Sequence, residues 1–396
     1  MHRNTSDVVR TGFADAFGFN PAGVWSAPGR ISLMGDHTDI QDGITYGFAY
    51  GARSAVALAP RTDRLIRIRT DLVDEAIEVE LDDIAPPAAH AWQDYPLGLL
   101  WVIRNWLPEH VFDDDRPKPQ LTGLDMFITT DVPIGAGLAS SASLCAALST
   151  ALNELWNLDQ TPMRLARFGY EVENDYIGAS SGMSDHVTVL LAEEHRDVFY
   201  DARGGDATAI DVNPLSAHGY VGMIVESGET HRNWAGKVND RHAACRRVAQ
   251  QLGYQSLREL SIEELEAARE QLDEADYRRA RYIVTEIQRV LDFTRLNRTE
   301  GLPSVLPLFN ESQRSIRDDF EVSTQRIDLI CDVAAAAGAP AARMTGSGFG
   351  GAVFVIVAQA DYDRLEAMLR EAFTEYGWDG LQIYPAVKTG AARRDA

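Results

Sequence analysis

Lysine is nearly absent from this 396-residue chain: of its 37 basic residues only Lys118, Lys237 and Lys388 are lysines. A site for a phosphorylated ligand would therefore lean on backbone dipoles, a metal ion and arginine, not on a lysine-bearing Walker loop. Cysteine is almost as scarce. Cys145, Cys245 and Cys331 are odd in number and widely spaced, which suits a reducing compartment and matches neither a zinc site nor a disulfide framework. No apolar run reaches membrane-spanning length, and residues 1–7 carry no apolar signal-peptide core. The expectation is a cytoplasmic protein with no membrane partner. Positive charge is in deficit as well. A net charge of −22 argues against a general nucleic-acid binder, and an anionic ligand would have to be captured by local chemistry.

What the chain does have is length enough for two domains and one glycine- and serine-rich stretch, residues 131–143, reading DVPIGAGLASSAS. Residues 124–129 before it read as a short strand and residues 144–152 after it as a helix. A strand feeding a glycine loop that opens a helix presents backbone N–H groups and a positive helix end to an anion. Around it, the pattern predicts a helix over 11–19 and a strand, paired or bent about Pro28-Gly29, over 24–34. Strands follow at 54–58, 65–69 and 76–81, then a helix over 97–106. Asp113, Asp114 and Asp115 form a solvated surface loop. Thr161-Pro162 caps a helix running to about Tyr176. Strands near 197–200 and 220–226 flank a Gly/Asp-rich connector, so the domains are expected at 1–210 and 211–396. Charged helices then occupy 242–252, 262–272, 276–291 and 322–337, ahead of a second glycine-rich stretch at 344–351 and a strand at 352–357.

Three separated motifs stand in order: APGRISLMGDHTDIQDG at 27–43, PIGAGLASSAS at 133–143 and MTGSGFGG at 344–351. Together they resemble those of the GHMP small-molecule kinases, and within them the galactokinases. That resemblance implies an α/β (α+β) fold of two domains with the active site in the cleft between them. It also implies transfer of the γ-phosphoryl group of ATP to the anomeric hydroxyl of galactose, with Mg2+. By the same resemblance Arg30 and Asp185 are catalytic, Arg30 stabilising negative charge and Asp185 taking the hydroxyl proton. Pro133, Gly135, Gly137, Leu138, Ser140, Ser141 and Ser143 bind the nucleotide. Ser141 and Glu173 ligate the metal, and Asp36, His37, Asp39, Gly182 and Val238 surround the sugar.

The departures from the family pattern cluster at the sugar. Asp36 stands where glutamate is usual, Ile40 and Val238 stand where tyrosines are usual, and His186 follows Asp185 where glutamine is usual. Phosphoryl transfer is thus better supported than galactose itself. Arabinose, N-acetylgalactosamine or galacturonate are alternative acceptors, and a non-catalytic sugar sensor is a further one. The partners expected are a sugar and ATP, on a monomer or weak homodimer.

Overall fold

The computed structural model describes residues 4–88, 91–109, 119–212, 214–229 and 234–396. The acidic run Asp113 to Asp115 and Lys118 lie outside them. The first half runs α1 (Thr5–Phe17), β1 (Gly23–Met34), β2 (Ile44–Pro60), β3 (Leu65–Thr70), β4 (Ile77–Glu80), α2 (Asp94–Trp106), β5 (Leu124–Thr130), α3 (Ser140–Leu155), α4 (Pro162–Glu171), α5 (Ser184–Leu191), β6 (Arg196–Asp201) and β7 (Asp206–Asp211). The second runs β8 (Tyr220–Glu226), α6 (Trp234–Gln251), α7 (Ile262–Ala267), α8 (Glu274–Thr299), α9 (Leu302–Ser315), α10 (Gln325–Ala336), β9 (Ala341–Thr345), β10 (Ala352–Ala358), α11 (Tyr362–Glu375), β11 (Gln382–Pro385) and β12 (Arg393–Arg394).

Among the described residues the first sheet has eight strands in the order β12-β1-β2-β5-β3-β4, with β6 and β7 continuing from the early part of β2. Its pairings are antiparallel except β3 with β5. The second sheet, β11-β8-β10-β9, is antiparallel throughout. The bent strand expected about Pro28-Gly29 is one continuous β1, with its register against β2 shifting between those two residues. β2 is far longer than the segment 54–58 foreseen. Gly47 and Gly51 broke the pattern of its first part, yet Gly47 belongs inside the strand, because a Cβ there would lie 2.5 Å from the Ile31 carbonyl oxygen.

Every residue of β1 is buried, which simple alternation would not predict. Trp25, Val56, Ile66 and Ile128 pack with Leu148, Trp156 and Phe168 of the helices in one core. Val9 and Phe13 of α1 cover Val24 and Phe127 in a second, smaller one. Farther along β1 and β2, Ile31, Met34, Tyr46 and Phe48 join Ile224, Tyr282, Phe309, Phe320 and Phe354 in a third core made by both halves. The boundary expected at residue 210 falls at the end of β7, but the chain does not separate cleanly there. Lys388 bridges to Tyr50 and β12 pairs with β1, so the tail of the second half completes the first sheet. Among the described residues no helix is long and apolar enough to cross a membrane.

Candidate active site

The three motifs meet at one cavity of about 410 Å3. The glycine loop forms one wall, with Gly135, Gly137, Leu138, Ser140 and Ser141 all lining it. Gly137 and Ala139 both take positive φ, 71° and 63°, which turns the chain into the N-terminus of α3, whose first residues Ser140 and Ser141 line the cavity. The loop is held from behind by backbone. Arg30 N donates to Leu138 O (3.1 Å), and a Cβ on Gly346 would lie 2.5 Å from Gly137 O. The second glycine-rich stretch therefore presses against the first so closely that only glycine fits.

Arg30 comes from the middle of β1 and Asp185 from the first turn of α5. Arg30 Nε and Nη2 donate to the two carboxylate oxygens of Asp185, each at 2.7 Å, and Nη1 donates to Gly137 O at 2.6 Å. The arginine side chain is 7% exposed and the aspartate 32%, so the carboxylate edge is open to the cavity while its cation is fixed beneath it. A bidentate pair of this kind sets orientation as well as charge. Glu173 lies on a π-helical turn, Val172–Tyr176, that extends α4; such turns are frequent at functional sites. Its Oε1 accepts from Ser141 Oγ (2.9 Å) and its Oε2 lies 3.5 Å from His186 Nε2. Burial alone would raise the Glu173 carboxyl, but the nearby His186 ring and hydrogen bonding from Ser181 and Ser141 outweigh it and hold the group below its ordinary value. His186 fits its slot because α4 has Gly169 opposite, where a Cβ would come within 2.3 Å of the ring.

The other end of the cavity is lined by Asp36, His37, Asp39, Ile40, Gly182, Val238, Asn239 and His242. Asp39 accepts from Ser184 N (3.0 Å), and burial pushes its carboxyl up. A Cβ on Gly182 would fall 1.9 Å from Asp39 Oδ2, so glycine is required for that carboxylate to stay. His37 Nδ1 and His242 Nε2 are 3.2 Å apart. Burial is the main reason both imidazoles are held down to about 3; Arg343 adds to it at His37, and His37 itself adds to it at His242.

Asp36 is differently placed from what the sugar-binding expectation implies. It borders the cavity, but Oδ1 accepts from Gly346 N (3.0 Å) and Oδ2 accepts from the buried guanidinium of Arg343. Arg343 also donates to Glu286 (3.1 Å), which in turn accepts from Gly35 N (2.8 Å) and Ser312 Oγ. Asp36 thus ties the first motif to the third. Ser143, expected to bind nucleotide, faces inward as well: its hydroxyl donates to Ala27 O (2.7 Å) and accepts from Ser54 N (3.2 Å). Pro133 does not line the cavity.

Comparison with known proteins accords with this geometry. The galactokinase galactose-binding signature matches residues 11–60, the GHMP kinases N terminal domain 102–193 and the GHMP kinases C terminal 298–375. A galactokinase of Streptomyces coelicolor is 35% identical over 397 residues, covering 100% of each chain. The chain belongs to the galactokinases. A Mycobacterium tuberculosis galactokinase is 34% identical over 90% of this chain and 94% of its own. The crystal structure of Lactococcus lactis galactokinase complexed with galactose superposes with a TM-score of 0.89 at 26% identity, covering 98% of this chain and 99% of that one. Methanococcus jannaschii mevalonate kinase shares the fold at a TM-score of 0.60 and 15% identity, over 93% of this chain and 98% of its own.

Against the galactokinase pattern, two groups of cavity residues were missed in the sequence. Leu72, Trp92, Tyr95, Ile134 and Leu144 line the same cavity as the glycine loop with apolar surface; the Trp92-to-Tyr95 segment carried a resemblance, but nothing in it announced a pocket. Asn239 and His242 were missed because on α6 only Val238 carried the resemblance. The signal was there in their spacing, since 238, 239 and 242 share one helix face.

Proposed function

We propose that the chain transfers the γ-phosphoryl group of ATP to the anomeric hydroxyl of galactose, giving galactose 1-phosphate and ADP. The Arg30–Asp185 pair carries this reading, because it shares a single cavity with a glycine loop suited to an anion and with the side chains of His37, Asp39 and Asn239. The triphosphate would lie along Gly135 to Ser141 on the positive end of α3, with the adenine base against Leu72, Trp92, Tyr95 and Ile134. Trp92 offers a buried indole N–H without a hydrogen-bond partner among the described residues. The sugar would occupy the pocket of His37, Asp39, Gly182 and Val238, with Asp36 behind it.

Asp185 would take the proton of the anomeric hydroxyl as that oxygen attacks the γ-phosphorus and the bond to the bridging oxygen of ADP breaks. Arg30 would hold the Asp185 carboxylate in line and place positive charge beside the transferring group. Ser141 and Glu173 are hard oxygen donors 2.9 Å apart at the cavity wall and fit a magnesium ion that keeps phosphate oxygens and water as its other ligands. Bound there, magnesium would neutralise charge on the phosphates. With both ligands small and the enzyme self-contained in one chain, a cytoplasmic monomer or weak homodimer is sufficient.

Galacturonate is the least suited of the alternative acceptors. Arg30 is the one Lys or Arg side chain lining the cavity among the described residues, and Asp185 already holds it, so a uronate would face Asp39 without a free cation. ADP release measured with galactose, arabinose, N-acetylgalactosamine and galacturonate decides the matter. Galactose should give the highest kcat/KM; ADP release independent of every sugar would overturn the kinase reading.

A further inference from the structure

We propose that helix α6 supplies specificity for the sugar, with Asn239 as a direct contact and His242 as a positioning residue that acts through His37. The inference rests on the galactose reading above and names groups it does not use. A bound sugar brings a ring of hydroxyls out of water, and each one left unpaired in the closed pocket costs affinity. The polar capacity at this end is small. Both oxygens of Asp36 are engaged by Arg343 and Gly346, Val238 and Ile40 are apolar, and Asp39 already accepts from Ser184 N.

Asn239 lines the cavity beside Val238, and its side chain makes no hydrogen bond to any described residue. Its carboxamide offers both an acceptor and donors, which suits a hydroxyl. One turn further along α6, His242 is 2% exposed and meets His37 through a single contact of 3.2 Å. His37 Nε2 and His242 Nδ1 are buried and make no other hydrogen bond of good geometry among the described residues, with the backbone of Ser347 beside the first ring and that of Ser180 beside the second. Two neutral imidazoles sharing one N–H···N bond are linked tautomers. If His37 Nδ1 donates, its Nε2 is left as an acceptor; if His242 Nε2 donates, His37 Nε2 carries a proton. His242, together with the backbone of Ser347, therefore sets the tautomer of His37 and so the half of a hydrogen bond that the ring can offer. The ligand class is a neutral sugar whose hydroxyl can play either part.

The test compares the whole protein with Asn239→Ala, Asn239→Asp, His242→Phe and His242→Gln, using galactose and its 2-, 3-, 4- and 6-deoxy derivatives. Asn239→Ala should raise the galactose KM about three- to tenfold while the KM for ATP and the Tm stay as they were. That penalty should vanish with one deoxy sugar only. Asn239→Asp keeps the acceptor and should lose less for a hydroxyl that donates. His242→Phe should raise the galactose KM, and His242→Gln, which restores a donor and an acceptor, should recover most of it. An unchanged galactose KM in Asn239→Ala, or an equal penalty on every deoxy sugar, overturns the inference while the wild-type activity stands. A wild-type protein that releases no ADP with galactose overturns the galactose reading, and this inference with it.

Discussion

The two ends of the cavity are built on different principles. At the glycine-loop end the groups proposed to hold phosphate are backbone N–H dipoles, and what fixes the loop is other backbone: Gly137 against Gly346, and Arg30 N on Leu138 O. At the sugar end the working groups are side chains, and their availability is settled by partners hundreds of residues away. Asp36 is the clearest case, since Arg343 and Gly346 take both its oxygens. A backbone site tolerates no change at its glycines, whether in the loop or far from it in the sequence. A side-chain site can keep its motif and still alter what it offers a ligand.

The largest effect expected lies where the ends meet. Asp185→Asn keeps the shape and removes the proton acceptor, so kcat should fall by about two to four orders of magnitude, with nucleotide binding by calorimetry preserved. Turnover close to wild type would remove Asp185 from the chemistry. Arg343→Met probes the remote control of the sugar end. It leaves Asp36 and Glu286 buried without their cation, and losing one partner of a buried pair costs about 3–5 kcal/mol. Denaturant unfolding should register that loss, and the galactose KM should rise more than the ATP KM. Equal rises in both would mean that the two ends are not organised separately.

Gly182→Ala is a smaller, local break. Its Cβ would enter the space of the Asp39 carboxylate, so the galactose KM should rise about tenfold, a displaced charged hydrogen bond being worth about 1.5–3 kcal/mol, while the ATP KM holds. The effect that vanishes at neutral pH, and so is the smallest under ordinary assay conditions, is in the dependence of stability on pH. His37 and His242 are held down to about 3 by burial, aided by Arg343 at His37 and by His37 at His242, whereas in the unfolded chain a histidine titrates near 6.5. Between those values the unfolded chain binds protons that the folded one refuses. Stability should thus be complete above about pH 6.5 and decline as pH falls toward 3, by up to about 1.4 kcal/mol per pH unit for each ring. His242→Phe should flatten that decline, and an unchanged slope between pH 6 and 4 would show that the pair is not desolvated.

The same division explains what was legible in the sequence. The glycine loop, α3 behind it, the cap at Thr161-Pro162 and the strands β3, β5, β8 and β10 follow from local pattern, because turns, caps and alternation act over a few residues. Arg30, Asp185, Glu173 and Ser141 were found through motif resemblance, and the structure brings them together around one cavity. Ser143 was grouped with its neighbours by that motif, yet the turn of α3 rotates it onto Ala27 and Ser54. The full length of β2 was hidden by Gly47, which serves close packing against β1, and by Gly51, which lies where the register shifts and donates to Val387 O. Arg343 could not be connected to Asp36 by any local rule, nor could the shared core be seen, since burial of Ile31 and Tyr46 depends on residues of the second half.

The return of β12 to the edge of β1 has a consequence for how the molecule comes into being on the ribosome. Trp25 is partnered by Arg394 and Ser26 by Arg393, so β1 waits for a strand that is made after the whole of the second half up to β11. Arg30 meets its aspartate 155 positions later, and Asp36 its arginine 307 positions later. Contacts of such separation carry a heavy loop-closure entropy and form late. The sheet's open edge, with the unpaired backbone of β1, is therefore exposed through most of synthesis, and nascent chains stalled before residue 393 should be the species that chaperones hold.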